Sequence, residues 1–147
     1  MPPQVLVVED NPGDVWLMKE AFKDVNPLIR LQVAPDGHDA MAFLRREETY
    51  ANATRPDLIL LDLNLPKMGG RELLAQIKLD DDLKTIPTIV VTSSEADADV
   101  ITSYRLHANS YVAKPMHFPA FHRLIKSIND FWLTGVKSMP SRTALYS

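Results

Sequence analysis

Five short apolar runs, separated by segments with helical spacing, constrain the fold of this chain more than any other feature. Val5-Leu6-Val7-Val8, residues 29–34, Leu58-Ile59-Leu60-Leu61 and Ile89-Val90-Val91 have strand length and aliphatic, β-branched content, and Tyr111-Val112-Ala113 is a weaker fifth. Parallel strands buried on both faces require near-continuous apolar runs of this kind rather than strict alternation. Polar residues interrupt the second run, which predicts an edge strand. Between the runs, Val15, Met18, Phe22 and Val25 share one helical face, as do Ala40, Phe43 and Leu44, then Leu73, Leu74 and Ile77, then Val100, Ile101 and Tyr104. Phe121, Leu124, Ile125, Ile128 and Trp132 follow the steps of three and four most clearly. Core packing accounts for most of these positions; Tyr104 fits a core or a partner surface equally well.

Strand and helix alternate five times, which predicts an α/β fold with a parallel sheet covered on both faces. Right-handed crossovers make a doubly wound five-stranded sheet the natural closure. The 147 residues suffice for one domain with its own core. No repeat, low-complexity tract or linker divides them. The expected organisation is one domain over residues 1–134 and a loose tail over 135–147, which carries Gly, Pro and Ser, with no output domain.

Ligands of doubly wound sheets bind outside the carboxyl ends of the strands, so the residues that end each strand carry the chemistry. The first strand ends in Glu9-Asp10, the third in Asp62 and the fourth in Thr92-Ser93, and Lys114-Pro115 follows the fifth. Three carboxylates brought to one spot repel unless something neutralises them. A hard cation does so, and Mg²⁺ suits a site with few carboxylates and several waters. Lys114 supplies a second positive charge, and the Thr92 hydroxyl can donate to an oxygen of an incoming anion. This set fits phosphoryl transfer, in which cation and lysine offset charge on the moving group while a carboxylate attacks and becomes an aspartyl phosphate. No Gly-rich loop leads into Gly-Lys-Ser/Thr, so P-loop nucleotide binding is disfavoured. The donor is then a phosphorylated partner or a small phospho-compound. Taken singly, Glu9-Asp10 reads as a solvated turn or helix cap, Asp62 as a loop cap and Lys114 as a surface residue. Their joint placement at four strand ends favours a shared site.

A net charge of −3 without any Lys/Arg run argues against nucleic-acid binding. The absence of cysteine excludes disulfides, thiolate metal sites and a Cys nucleophile. No apolar run approaches the length of a membrane span, and the first five residues do not open a signal sequence. These features predict a cytoplasmic protein without membrane association. His38, His107, His117 and His122 end no predicted strand and lack metal-ligand spacing, so surface or helix positions are expected for them.

The chain resembles the receiver domain of two-component response regulators over residues 4–134. The resemblance rests on Val7-Val8-Glu9-Asp10-Asn11, Pro56-Asp57-Leu58-Ile59-Leu60-Leu61-Asp62-Leu63-Asn64-Leu65-Pro66, Met68-Gly69-Gly70, Ile89-Val90-Val91-Thr92 and Tyr111-Val112-Ala113-Lys114-Pro115. It implies a flavodoxin-like strand order of 2-1-3-4-5 and a signalling phospho-acceptor that promotes its own phosphorylation and dephosphorylation rather than an ordinary enzyme. By the same resemblance Asp62 is the phospho-acceptor. Asp10 and Asp62 hold Mg²⁺, for which Mn²⁺ or Ca²⁺ can substitute, with the main-chain carbonyl of Asn64 and with Glu9 acting through water. Lys114 pairs with the acceptor or its phosphoryl group, and Thr92 binds a phosphoryl oxygen. Tyr111 is the switch aromatic that turns inward with Thr92, and the Lys114–Pro115 bond is commonly cis. Many receivers carry Asp where this chain has Glu9, which keeps the charge with a longer reach.

A narrower resemblance, to the single-domain regulators that partner bacterial phytochrome-type histidine kinases, lies in Asn11-Pro12-Gly13-Asp14-Val15, Leu63-Asn64-Leu65-Pro66-Lys67 and Asp130-Phe131-Trp132-Leu133-Thr134. It implies a sensor histidine kinase as phosphate donor, homodimerisation and a downstream protein partner. Phe131, Trp132 and Leu133 cannot all face one core from a regular helix, so they are either a ragged helix end or a dimer or partner surface; the narrower resemblance favours the latter. Asn64, Ser93 and Ser94 flank the acceptor and are small or polar, from which ordinary self-catalysed hydrolysis of the aspartyl phosphate is expected. Two rivals are an adaptor that docks a sensor kinase without needing phosphate, and a phosphatase or flavin protein on a similar sheet. A flavin site needs a Ser/Thr/Gly-rich phosphate loop after the first strand, where this chain has the acidic segment 9–14.

Overall fold

The computed structural model describes residues 2–65, 69–93 and 97–134. Five strands, β1 (Gln4–Val8), β2 (Arg30–Ala34), β3 (Leu58–Leu61), β4 (Thr88–Thr92) and β5 (Ser110–Ala113), alternate with five helices, α1 (Pro12–Val25), α2 (Gly37–Leu44), α3 (Gly70–Leu79), α4 (Asp97–Arg105) and α5 (Phe118–Ile128). The strands form one parallel sheet in the order β2-β1-β3-β4-β5. The doubly wound sheet is thus as expected, and the interrupted second run does lie at an edge.

Alternate residues of the central strands feed two separate cores. Leu6, Val8, Ile59, Leu61 and Val90 pack with Ala40, Met41, Phe43 and Leu44 of α2 and with Leu73, Leu74 and Ile77 of α3. Val5, Val7, Leu58, Leu60, Ile89 and Val91 pack with Met18, Ala21 and Phe22 of α1 and with Phe121, Ile125 and Ile128 of α5. All four residues of β3 are buried, so this strand contributes to both cores at once. Burying one such aliphatic side chain contributes about 1.5–3 kcal/mol, so β3 is firmly anchored up to the residue that follows it.

Local chemistry fixes where the helices begin. The Asn11 side chain accepts from the Asp14 amide at 3.0 Å, with Pro12 in the first turn of α1. Asp36 does the same for α2 through the Asp39 amide at 2.9 Å. Tyr104 is exposed on α4, so core packing does not account for it; the Ile101 side chain and residues 135–147 lie outside the described residues. α5 runs into a π-helical turn, Asn129–Thr134. Among the described residues, no helix is long and apolar enough to cross a membrane.

Candidate functional site

Sheet register brings the strand-end residues together. Val8 and Leu61 are Cα partners across β1 and β3, so Glu9 and Asp62 leave the sheet side by side. Thr92 and Ala113 are partners across β4 and β5, which delivers Lys114 one residue further out. Carboxylate oxygens of Glu9, Asp10 and Asp62 lie within 4.8 Å of one another. Glu9 is 2% exposed and Asp62 4%, whereas Asp10 is open to solvent. Asp62 Oδ1 accepts from the Asn64 amide at 3.1 Å, and Asp62 Oδ2 accepts from Lys114 Nζ at 2.9 Å.

Lys114 holds more than Asp62. Its ammonium lies 2.8 Å from Glu9 Oε2 and 2.9 Å from Asp14 Oδ2. Sequence reasoning missed Asp14, because that residue sits in the first turn of α1 rather than at a strand end. Its signal was the spacing Asn11-x-x-Asp14, which marks a capped helix start and fixes where the Asp14 side chain leaves the backbone. Three carboxylates, those of Glu9, Asp14 and Asp62, therefore face one ammonium, and that of Asp10 lies beside them. Burial pushes Glu9 up to about 7, further than its hydrogen bonds bring it down. Burial would lower Lys114, but the carboxylates of Glu9, Asp62 and Asp14 packed around it outweigh that and hold the ammonium above the ordinary lysine range. Glu9 Oε2, although close to the ammonium, accepts no well-aligned hydrogen bond. A buried anionic oxygen without an aligned donor, inside an excess of negative charge, fits a hard divalent cation held by oxygen ligands.

Thr92 closes β4, fully buried, and its carbonyl accepts from the Lys114 amide at 2.8 Å. Tyr111 is partly buried against the core on the α2 and α3 side. Asn64 and Ser93 are exposed beside the site, and Ser94 lies outside the described residues. Gly70 is fixed here by steric need: a Cβ on it would run into Leu63 Cα and come within 2.5 Å of Asp62 O. No described peptide bond is cis, Lys114–Pro115 included. The trans form is intrinsically favoured by about 0.5–1 kcal/mol before proline, and Lys114 reaches all three carboxylates with it. His117 caps α5, His122 lies 3.4 Å from Asp24, and His38 and His107 are exposed, so the histidines stay outside the site. Phe131 is 59% exposed, while Trp132 and Leu133 are partly buried against the α1 and α5 core.

A 2-1-3-4-5 parallel sheet with an acidic cluster and a lysine at the carboxyl ends of its strands defines a receiver. The chain belongs to the response regulator receiver domain family, which it matches over residues 5–126. It is 46% identical to the response regulator Rcp1 of Synechocystis sp. over 136 residues, covering 92% of either chain. It is 38% identical to the probable methanogenesis regulatory protein FilR2 of Methanothrix harundinacea, covering 88% of this chain and 83% of that one. Among solved structures it resembles the phosphorylated cyanobacterial phytochrome response regulator RcpA, with a TM-score of 0.89 and 44% identity over 93% of this chain and 98% of that chain. The Mn²⁺-bound form of Rcp1 is similar, with a TM-score of 0.88 and 44% identity over 95% and 100% of the two chains. The protein is thus a response regulator receiver of two-component signalling.

Proposed function

We propose that this chain accepts a phosphoryl group on Asp62 from a phytochrome-type sensor histidine kinase and, once modified, changes a dimer or partner surface. The observation that carries the reading is the Lys114 ammonium 2.9 Å from Asp62 Oδ2, inside a cluster of carboxylates suited to Mg²⁺. The similarity to cyanobacterial phytochrome response regulators supports the choice of kinase. Asp10 and Asp62 would hold the cation with the main-chain carbonyl of Asn64, and Glu9 would act through water. When bound, Mg²⁺ (or Mn²⁺, as in the Rcp1 structure) supplies charge neutralisation between the carboxylates and the transferring group.

A carboxylate oxygen of Asp62 attacks phosphorus and forms the new P–O bond. The P–N bond to the donor imidazole breaks, its electron pair stays on the ring nitrogen, and the ring leaves as neutral imidazole carrying its compensating proton. Lys114 then pairs with the phosphoryl group in place of the free carboxylate. The Thr92 hydroxyl moves to a phosphoryl oxygen, and Tyr111 follows it inward. Exposed Asn64 and Ser93 leave water a path to the acyl phosphate, consistent with ordinary self-catalysed hydrolysis. The chain would act in the cytoplasm as a receiver over residues 1–134, signalling as a homodimer through Phe131, Trp132 and Leu133 or through a downstream protein.

The test is phosphotransfer from an autophosphorylated phytochrome-type kinase. Label should pass to the wild type in the presence of Mg²⁺ and not to Asp62→Asn. Transfer to both chains alike would overturn the assignment of Asp62, and transfer to neither the assignment of the kinase.

A further inference from the structure

Helix α4 holds its arrangement against two local penalties, and Ser103 takes part in both. Its side chain is 0% exposed, and its Oγ is one of two buried side-chain oxygens among the described residues without a hydrogen-bond partner; the other is the Glu9 oxygen at the carboxylate cluster. A serine within a helix commonly turns its hydroxyl to the carbonyl four residues back. Ser103 does not. A buried hydroxyl without a partner has lost its hydration and gained nothing in exchange. The carbonyl of the same residue closes the end of the helix: the Ala108 amide donates to Ser103 O at 3.0 Å, and the His107 amide donates to Tyr104 O at 3.0 Å. That pair of bonds requires a left-handed residue between helix and strand, a position that glycine usually fills. Here it is His107, at φ 66°.

α4 connects β4, which ends at Thr92, to β5, which carries Tyr111 and precedes Lys114. An element that carries unmet local demands between two site-bearing strands is one that a change at the site can move. We propose that Ser103 sets the balance between the unphosphorylated and phosphorylated arrangements, its unpartnered hydroxyl raising the free energy of the unphosphorylated one. Any displacement of α4 that gives the hydroxyl water or an acceptor recovers the missing hydrogen bond, so Ser103 favours departure from the packing seen here. The inference rests on Asp62 as phospho-acceptor and adds a residue that touches neither phosphate nor metal.

The test compares the full wild-type chain with Ser103→Ala, which removes the oxygen and leaves the helix intact. Two quantities are read: urea stability of the unphosphorylated protein, and affinity for beryllofluoride, a mimic of the aspartyl phosphate, in the presence of Mg²⁺. Ser103→Ala should be the more stable protein and should bind beryllofluoride about five- to a hundredfold more weakly, the equilibrium equivalent of about 1–3 kcal/mol. A merely structural serine would leave the beryllofluoride affinity unmoved. Equal affinities, or a less stable Ser103→Ala, would overturn the role of Ser103 while leaving Asp62 in place. A wild type that takes up no beryllofluoride would overturn the assignment of Asp62 and this inference with it.

Discussion

Glu9 lies where burial and pairing pull in opposite directions, and its response to pH is therefore informative. In the folded chain its carboxyl is pushed up to about 7, against 4.5 for the ordinary side chain. Between these values the folded protein keeps a proton that the unfolded chain has released. Stability of the metal-free protein therefore falls as pH rises through that window and levels off above about 7. Glu9→Gln removes this dependence. Chemical denaturation at about pH 5 and about pH 8 should show the wild type losing roughly 2 kcal/mol more than Glu9→Gln over the interval; parallel losses would count against a proton on Glu9. Glu9, Asp10, Asp62, Thr92 and Lys114 were legible as a set because each ends or follows a strand. Asp14 was not, since its approach to Lys114 depends on the entry angle of α1, which register cannot supply.

Among the elements, the three central strands were legible because aliphatic runs buried on two faces leave few other structures open to them, whereas the edge strands β2 and β5, partly exposed, gave weaker runs. The turn after α5 was not. Steps of three and four carry Trp132 inward, but a π-helical turn accommodates an extra residue and brings Leu133 partly inward as well. Phe131 is thereby left outside, its ring 5.0 Å from that of Trp132 in an edge-on contact. The junction between β3 and α3 depends just as strongly on one residue. Gly70 lets the helix start directly against the Asp62–Leu63 backbone, and its amide donates to Leu63 O at 3.1 Å. Gly70→Ala forces that backbone apart and should destabilise the protein by about 1–3 kcal/mol in urea titration. It should also slow phosphorylation, if Asp62 accepts the phosphoryl group as proposed, because Asp62 is displaced; an unchanged urea midpoint would show that the junction can yield.

For the whole molecule, the exposed face of the C-terminal turn is where association can be separated from folding. Of the three residues singled out for dimerisation, only Phe131 is exposed without also covering the core, so Phe131→Ala separates association from folding better than any change at Trp132. Sedimentation equilibrium should show the proposed homodimer dissociating at least about tenfold more readily in Phe131→Ala, the loss expected of a central aromatic anchor, with the urea midpoint little changed. Identical association constants would place the interface elsewhere. Similarity to both Rcp1 and FilR2 shows that this receiver frame is shared by regulators with differently named roles, so the surface rather than the sheet has to distinguish partners.

What all of this depends on is the reactivity of Asp62 beside Lys114 and the acidic cluster. The most direct measurement is the intact mass of the wild-type chain and of Asp62→Asn after incubation with acetyl phosphate, with Mg²⁺ and with a chelator. The wild type should gain the mass of one phosphoryl group only when Mg²⁺ is present, and Asp62→Asn should gain none. An equal gain in Asp62→Asn, or a gain in the wild type unaffected by the chelator, would contradict it.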